Sequence, residues 1–371
     1  MNEPKLRFPE FKGEWEEKKL GEECEITAGG DIPKEKISKE KTEIYKVPII
    51  SNGIGNNAIY GYTDSPKITQ AAITISARGT IGYAEYREYP YYPIVRLLSV
   101  FPKDSTSLNT KYLSYILSIQ KYDVTNAGIP QLTVPMIGSV IFHIPPSPAE
   151  QDKIASCLSA MDDLIAAQAE KVEALKEKKT GLMQQLFPQP GETTPRLRFP
   201  GFTEEWKERK FSDCFEIGSG RDYKHLQQGE IPVYGSGGYM CSVNDYLYDG
   251  DSACIGRKGT INKPIFISGK FWTVDTLFYT YNYVETSAYF IYLLFQNIDW
   301  MKHNEAGGVP SLSKSIIYNI SVYLPSPAEQ QKIANCLSEL DDLIASETKQ
   351  LEALKEHKKG LMQQLFPQPA K

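Results

Sequence analysis

The chain has 371 residues, with 41 Lys plus Arg against 46 Asp plus Glu and a formal net charge of −5. That length exceeds what one compact core organises, and 41% hydrophobic with 11% aromatic residues excludes a disordered chain. The acidic balance counts against a protein that grips nucleic acid by general electrostatics alone.

No run reaches the roughly 18 apolar residues of a membrane span, and the start MNEPKLRFPEF does not read as a signal peptide, so a cytoplasmic protein that makes no use of a membrane is expected. The six cysteines (Cys24, Cys157, Cys214, Cys241, Cys254, Cys336) form no C-x-x-C pair and have no histidine at ligand spacing. Reduced thiols and no metal site are the expectation.

The segment PKLRFPEFKGEWEEKKLGEECEI at 4–26 returns at 195–217 as PRLRFPGFTEEWKERKFSDCFEI. Leu6, Arg7, Phe8, Pro9, Phe11 and Trp15 map onto Leu197, Arg198, Phe199, Pro200, Phe202 and Trp206. Such a cluster of aromatics reads as a packing clip that pins the chain onto a globular domain; the tryptophan touching a partner is the alternative. After each clip comes a diverged block, 27–145 and 218–324, rich in short strand-like runs broken by Gly, Pro and Asn, with one helical stretch each near NTKYLSYILSIQKY and TSAYFIYLLFQNIDW. Each block reads as a compact α+β domain with a small sheet.

The blocks align at three points. Val47-Pro48-Ile49 with Gly53 matches Ile231-Pro232-Val233 with Gly237. Ile75-Ser76-Ala77-Arg78-Gly79-Thr80-Ile81 matches Ile255-Gly256-Arg257-Lys258-Gly259-Thr260-Ile261, and Gly128-Ile129-Pro130 with Leu132 matches Gly308-Val309-Pro310 with Leu312. A frame was duplicated while its loops diverged, and loops on a rigid frame carry recognition. Arg78, Arg257 and Lys258, each at a strand end beside Gly-Thr, suit phosphate or a guanine edge; surface charge is the plain alternative. Thr80 and Thr260 follow them, while Asn52, Asn56 and Asn57 in one block and Tyr234 and Ser236 in the other offer amides and hydroxyls for base edges.

Each block ends in a long helix. Aligning Pro146–Pro190 with Pro325–Pro369 leaves 33 of 45 pairs identical. Ile154, Leu158, Met161, Ile165, Val172, Leu175, Leu182 and Leu186, with Gln168 and Lys179 in the polar slots, alternate in steps of four and three. Ile333, Leu337, Leu340, Ile344, Leu351, Leu354, Leu361 and Leu365, with Glu347 and Lys358, repeat the register. That is a heptad seam calling for a partner helix. Parallel pairing would set Lys179 against Lys358, so antiparallel pairing is predicted. Two unrelated surface helices are the plainer alternative. Ser147 and Ser326 are N-caps with Glu150 and Glu329 completing capping boxes, Pro188 and Pro367 mark the stops, and Gly181 and Gly360 allow a kink or fraying. About 40 helical residues make a rod of roughly 60 Å. Asp162-Asp163 and Asp341-Asp342, beside the seam, read as solvated or partner-facing charges.

Chemistry is conspicuous by its gaps. There is no G-x-x-x-x-G-K-[ST], no G-x-G-x-x-G before a helix, no H-E-x-x-H and no N-P-P-Y/F tetrapeptide. The four histidines (His143, His225, His303, His357) are scattered without a Ser or Cys partner. The chain reads as non-catalytic, without a cofactor of its own.

Two variable blocks, each preceded by L-R-F-P-x-F-x-x-x-W and followed by an S-P-A-E-Q helix ending L-F-P, resemble the specificity subunit of type I restriction-modification enzymes over nearly the whole chain. The resemblance implies target-recognition domains at 1–145 and 191–324, held apart by antiparallel coiled-coil helices at 146–190 and 325–371 in a pseudo-twofold internal repeat. It implies double-stranded DNA as the ligand, read at an asymmetric bipartite site, with two methylation subunits docked on the helices and restriction subunits joining them. S-adenosylmethionine, ATP and Mg would then reside on those partners. A coiled-coil scaffold with two protein- or glycan-binding domains is the competing reading.

Overall fold

The computed structural model describes residues 3–33, 35–122 and 130–367. Gly128 and Ile129 lie outside them, as do the side chains of Asn56 and Asn57. Two compact units result, one from Met1–Gln168 with Gln350–Lys371 and one from Ala169–Lys349. Each is built the same way.

In the first unit, Cys24–Ala28, Leu98–Pro102, Ala72–Ile75 and Ala84–Arg87 form an antiparallel sheet in that order. Every residue of Ala72–Ile75 is buried, Thr74 included, as expected of a strand with both faces covered. A second sheet orders Ile37–Ser38, Ile59–Thr63, Val47–Ile50 and Tyr92–Pro93, the last pairing being parallel. The second unit repeats both. Glu216–Ser219, Leu277–Tyr281, Ser252–Gly256 and Ile265–Ile267 make one sheet. Gly238–Val243, Gln228–Gly235, Lys270–Thr273 and Tyr248–Asp249 make the other, again with one parallel pair, Val233 beside Trp272.

The clips close each unit. Glu16–Lys19 pairs antiparallel with Ile141–Ile144, and Lys207–Lys210 with Ser321–Leu324. Trp15 and Trp206 are each 3% exposed within their cores. The clip also carries an ion pair that its aromatics do not announce. Arg7 donates Nε and Nη2 to the two carboxylate oxygens of Glu150 at 2.8 and 2.9 Å, and Arg198 does the same to Glu329 at 2.8 and 2.7 Å. These are the glutamates expected to close capping boxes. Their carboxylates instead meet guanidinium, because a bidentate charged pair outweighs one bond to a backbone amide. Ser326 Oγ still accepts from the Glu329 amide at 3.4 Å.

The long helices run unbroken over Pro148–Leu186 and Pro327–Leu365, 39 residues each, so neither frays at Gly181 or Gly360. At 1.5 Å per residue each is about 58 Å long. All twenty predicted seam positions are buried or half-buried. Within the first unit, Ile154 and Leu158 share a core with Leu361, Met362 and Leu365. Within the second, Ile333 and Leu337 share one with Leu182, Met183 and Leu186. Start meets end in both, which is antiparallel pairing. Phe187 and Phe366, from the two L-F-P endings, are among the most deeply buried side chains. Phe187 lies 5.6 Å from Phe290 and Phe366 5.6 Å from Tyr112, centroid to centroid.

The polar seam residues find partners too. Lys179 meets Asp341 at 2.7 Å, and Asp341 also accepts from the Tyr289 hydroxyl at 2.7 Å. Lys358 meets Asp162, which accepts from Tyr115 at 2.8 Å. Burial, then the neighbouring carboxylate, pushes both phenols well above their ordinary range. Asp162 and Asp341 are therefore partner-facing, the second of the two expected alternatives, with part of each side chain still exposed; Asp163 and Asp342 are exposed. Among the described residues no helix is long and apolar enough to cross a membrane.

Glu150 is fully buried. Arg7→Met should therefore lower the unfolding free energy by about 3 kcal/mol, by leaving a carboxylate unpaired. Adding Glu150→Gln should recover at least half of that loss in a urea-melt double-mutant cycle.

Candidate nucleic-acid interface

Three loops converge at equivalent strand ends in each unit: the turn after Val47–Ile50 or Gln228–Gly235, the Gly-Thr-Ile loop, and the stretch Pro130–Leu132 or Pro310–Leu312. Backbone bonds join the last two. Leu132 donates to Ala77 O at 3.0 Å, and Leu312 donates to Arg257 O at 2.9 Å. These bonds make Ala77 equivalent to Arg257, and Arg78 to Lys258. A fourth element arrives beside them. Ile94 donates to Ile50 O at 2.8 Å and Val274 to Tyr234 O at 2.9 Å, bringing in the turns Ile94–Leu97 and Val274–Leu277.

Asn52 ties this cluster together in the first unit. Its Oδ1 accepts from the Ala77 amide at 2.8 Å and its Nδ2 donates to Val95 O at 2.7 Å. The amide expected to face a base edge is spent on backbone, which makes Asn52 a brace. Asn56 and Asn57 lie on the short 3-10 turn Gly55–Ala58. Gly79 takes φ +70° and Gly259 φ +89°, the left-handed conformation that favours glycine at both tips.

Arg78 is half-buried and Thr80 exposed. Arg78 donates Nε and Nη2 to Gln131 Oε1 at 3.0 and 2.7 Å, and Arg96 Nη1 donates to the same oxygen at 3.2 Å. Two guanidinium groups thus share one neutral acceptor, and among the described residues neither has a carboxylate within ion-pair distance. The second unit differs. Arg257 and Lys258 are exposed, Arg257 Nη1 donating to Asp275 O at 3.2 Å. Ser236 donates its amide to Thr276 Oγ1 at 3.4 Å, and Thr260 is half-buried. A Cβ at Gly256 would collide with the Thr260 carbonyl, so that loop needs its glycine. Tyr234 is half-buried, its phenol raised mainly by that burial. Exposed Tyr239 and Met240 flank it.

Burial pushes the thiols of Cys24 and Cys254 up to about 12 and that of Cys214 up to about 11, leaving them inert at neutral pH. Among the described residues no cluster of His, Cys, Asp and Glu could hold a metal ion.

The pattern of the Type I restriction modification DNA specificity domain matches residues 12–177 and again 203–356. The chain belongs to that family. Among its relatives is a Mycoplasma pneumoniae protein carrying the name type I specificity subunit S.MpnORF507P, 35% identical over 37% of this chain and 36% of its own length. A second from that organism, S.MpnORF89P, is 34% identical over 42% and 46%. The matched regions thus span less than half of these relatives. The MjaIX specificity subunit of Methanocaldococcus jannaschii is 24% identical over 95% of this chain and 92% of its own. In fold, the chain resembles the type I restriction-modification S subunit of M. genitalium, with a TM-score of 0.71, 19% identity and coverage of 99% and 100%.

Arg96 and Gln131, which meet Arg78 here, are not among the residues that the sequence reading singled out. Arg96 had no glycine beside it to flag a turn, and Gln131 is one residue of the Gly-x-Pro-x-Leu segment that differs between the blocks, as Ser311 in the second. Asn52→Ala, which removes two bonds to backbone, should lower stability by about 2 kcal/mol and speed amide exchange at Ala77. Lys258→Ala, on the exposed Gly-Thr-Ile loop of the second unit, should stay within about 0.5 kcal/mol of the unaltered chain; chemical denaturation and hydrogen exchange check both.

Proposed function

We propose that this chain is the subunit that names the DNA sequence for a type I restriction-modification complex. Its two units read two different half-sites of an asymmetric bipartite site on double-stranded DNA. The observation that carries this reading is that one loop cluster, built twice on one frame, displays different side chains: Arg78, Gln131 and Arg96 in one unit, against Lys258, Ser311 and Thr276 in the other. A duplicated frame that served one ligand twice would have kept its contact residues alike.

The chemistry belongs to partners under this proposal. Methylation subunits would dock on the long helices, with S-adenosylmethionine on them, and restriction subunits would bring ATP and Mg. Docking is supported by Leu164 and Leu343, equivalent positions off the seam that leave a leucine 49% and 42% exposed. Repetition of the same outward leucine suits a partner present in two copies.

Net charge also fits a division of labour. At −5 the chain supplies little phosphate attraction overall, so methylation subunits provide much of the grip. The isolated chain should therefore bind a duplex weakly and with little sequence preference, and bind tightly only once assembled with methylation subunits. Gel-shift titrations at one fixed salt concentration test this; strong sequence-specific binding by the chain alone would refute the partner-dependent account.

A further inference from the structure

The first unit presents its two arginines in an unusual way. Arg78 spends Nε and Nη2, the side edge of its guanidinium, on Gln131 Oε1 at 3.0 and 2.7 Å. The opposite edge, formed by Nη1 and the second Nη2 hydrogen, is left facing away from that acceptor. This end-on fork is the edge that matches O6 and N7 of guanine. Its plane is fixed by Gln131, and its backbone is fixed by the Asn52 brace at Ala77 and the Leu132 bond to Ala77 O. A phosphate needs charge more than orientation, whereas a base edge needs both.

Arg96 is held differently. Val95 and Arg96 both have positive φ, 53° and 58°, in a turn closed by the Leu97 amide on Ile94 O at 3.1 Å. Turns with two such central residues favour Asn-Gly, and a β-branched valine there is strained. The strain is held in place by the Asn52 bond to Val95 O and by Val95 donating to Gly30 O at 2.9 Å. The equivalent residues of the second unit, Asp275 and Thr276, are not among the positive-φ positions. Strain kept at one copy of a repeated frame, and used to project an exposed arginine beside another, points to ligand contact.

We infer that Arg78 reads a guanine in the half-site of the first unit, that Gln131 is the residue positioning it, and that Arg96 anchors the adjacent backbone phosphate. The inference rests on the DNA-reading function proposed above and adds the base and the contacts. The second unit, with Lys258 and Ser311 in those places, lacks the guanidinium–amide pair and imposes no guanine at the equivalent step.

The test selects bound duplexes from a randomised library with the full chain assembled with its methylation subunits. Arg78→Ala and Arg78→Lys should each lose roughly 5- to 150-fold discrimination at one guanine position, the range of a single bidentate base contact. Arg78→Lys should do so while keeping affinity for unrelated sequences. Gln131→Leu should relax the same position by a smaller factor. Arg96→Gly, which relieves the turn, should leave melting unchanged or raised while weakening all sequences alike and lowering the log–log salt slope by about 1. Equal weakening of every sequence by Arg78→Ala, or full discrimination in Arg78→Lys, would overturn the guanine assignment while leaving the DNA-reading function standing. An unaltered complex without any sequence preference would overturn that function itself, and this inference with it.

Discussion

A lysine placed in the apolar seam of a helix pair has to find a carboxylate, and that requirement orders the structure. Lys179 and Lys358 occupy equivalent seam positions in the two long helices, so a parallel arrangement would bring cation against cation. The antiparallel arrangement gives each lysine an aspartate instead, Asp341 in one unit and Asp162 in the other. A tyrosine from each unit's shorter helix then closes the triad. Desolvating a charge costs far more than the pair returns unless its geometry is satisfied throughout. The triads thus act more as a specification of register than as a source of stability. Once the start of one helix lies against the end of the other, everything at those ends is fixed as well. The L-F-P phenylalanines reach the domain cores, and the clip arginines reach Glu150 and Glu329.

Function grows from what this frame leaves free. Sheets, clips and helix ends repeat closely because each residue there answers to several neighbours at once. Loop side chains at the strand ends answer to fewer, and they have diverged. The first unit concentrates two guanidinium groups on one amide oxygen, while the second offers a lysine, a serine and a threonine in corresponding places. Under the proposed function, recognition that differs between two copies of one scaffold follows from this separation between a repeated frame and diverged tips.

Much of the frame was legible in the sequence. The alternation of four and three steps located the seam, and the clash of Lys179 with Lys358 selected the antiparallel pairing. The clip tryptophans were read correctly as packing. What escaped were side-chain partners that no periodicity encodes. Arg7 and Glu150 are 143 residues apart, and Ser-x-x-Glu looked like a local cap because nothing local revealed the distant guanidinium. Asn52 was legible as a polar loop residue, but not as a brace whose two bonds reach Val95 and Ala77. Arg96 was hidden for a sharper reason: its turn lacks the Asn-Gly signature that its backbone would favour, so local rules gave no warning.

The central claim is that each unit reads its own sequence independently on a shared frame. Replacing residues 27–145 with the corresponding block of another family member, and mapping the methylated positions left by the assembled complex, tests it most directly. The account predicts that one half of the recognised site changes and the other half is retained. A pattern in which both halves change together, or in which neither changes, would contradict it.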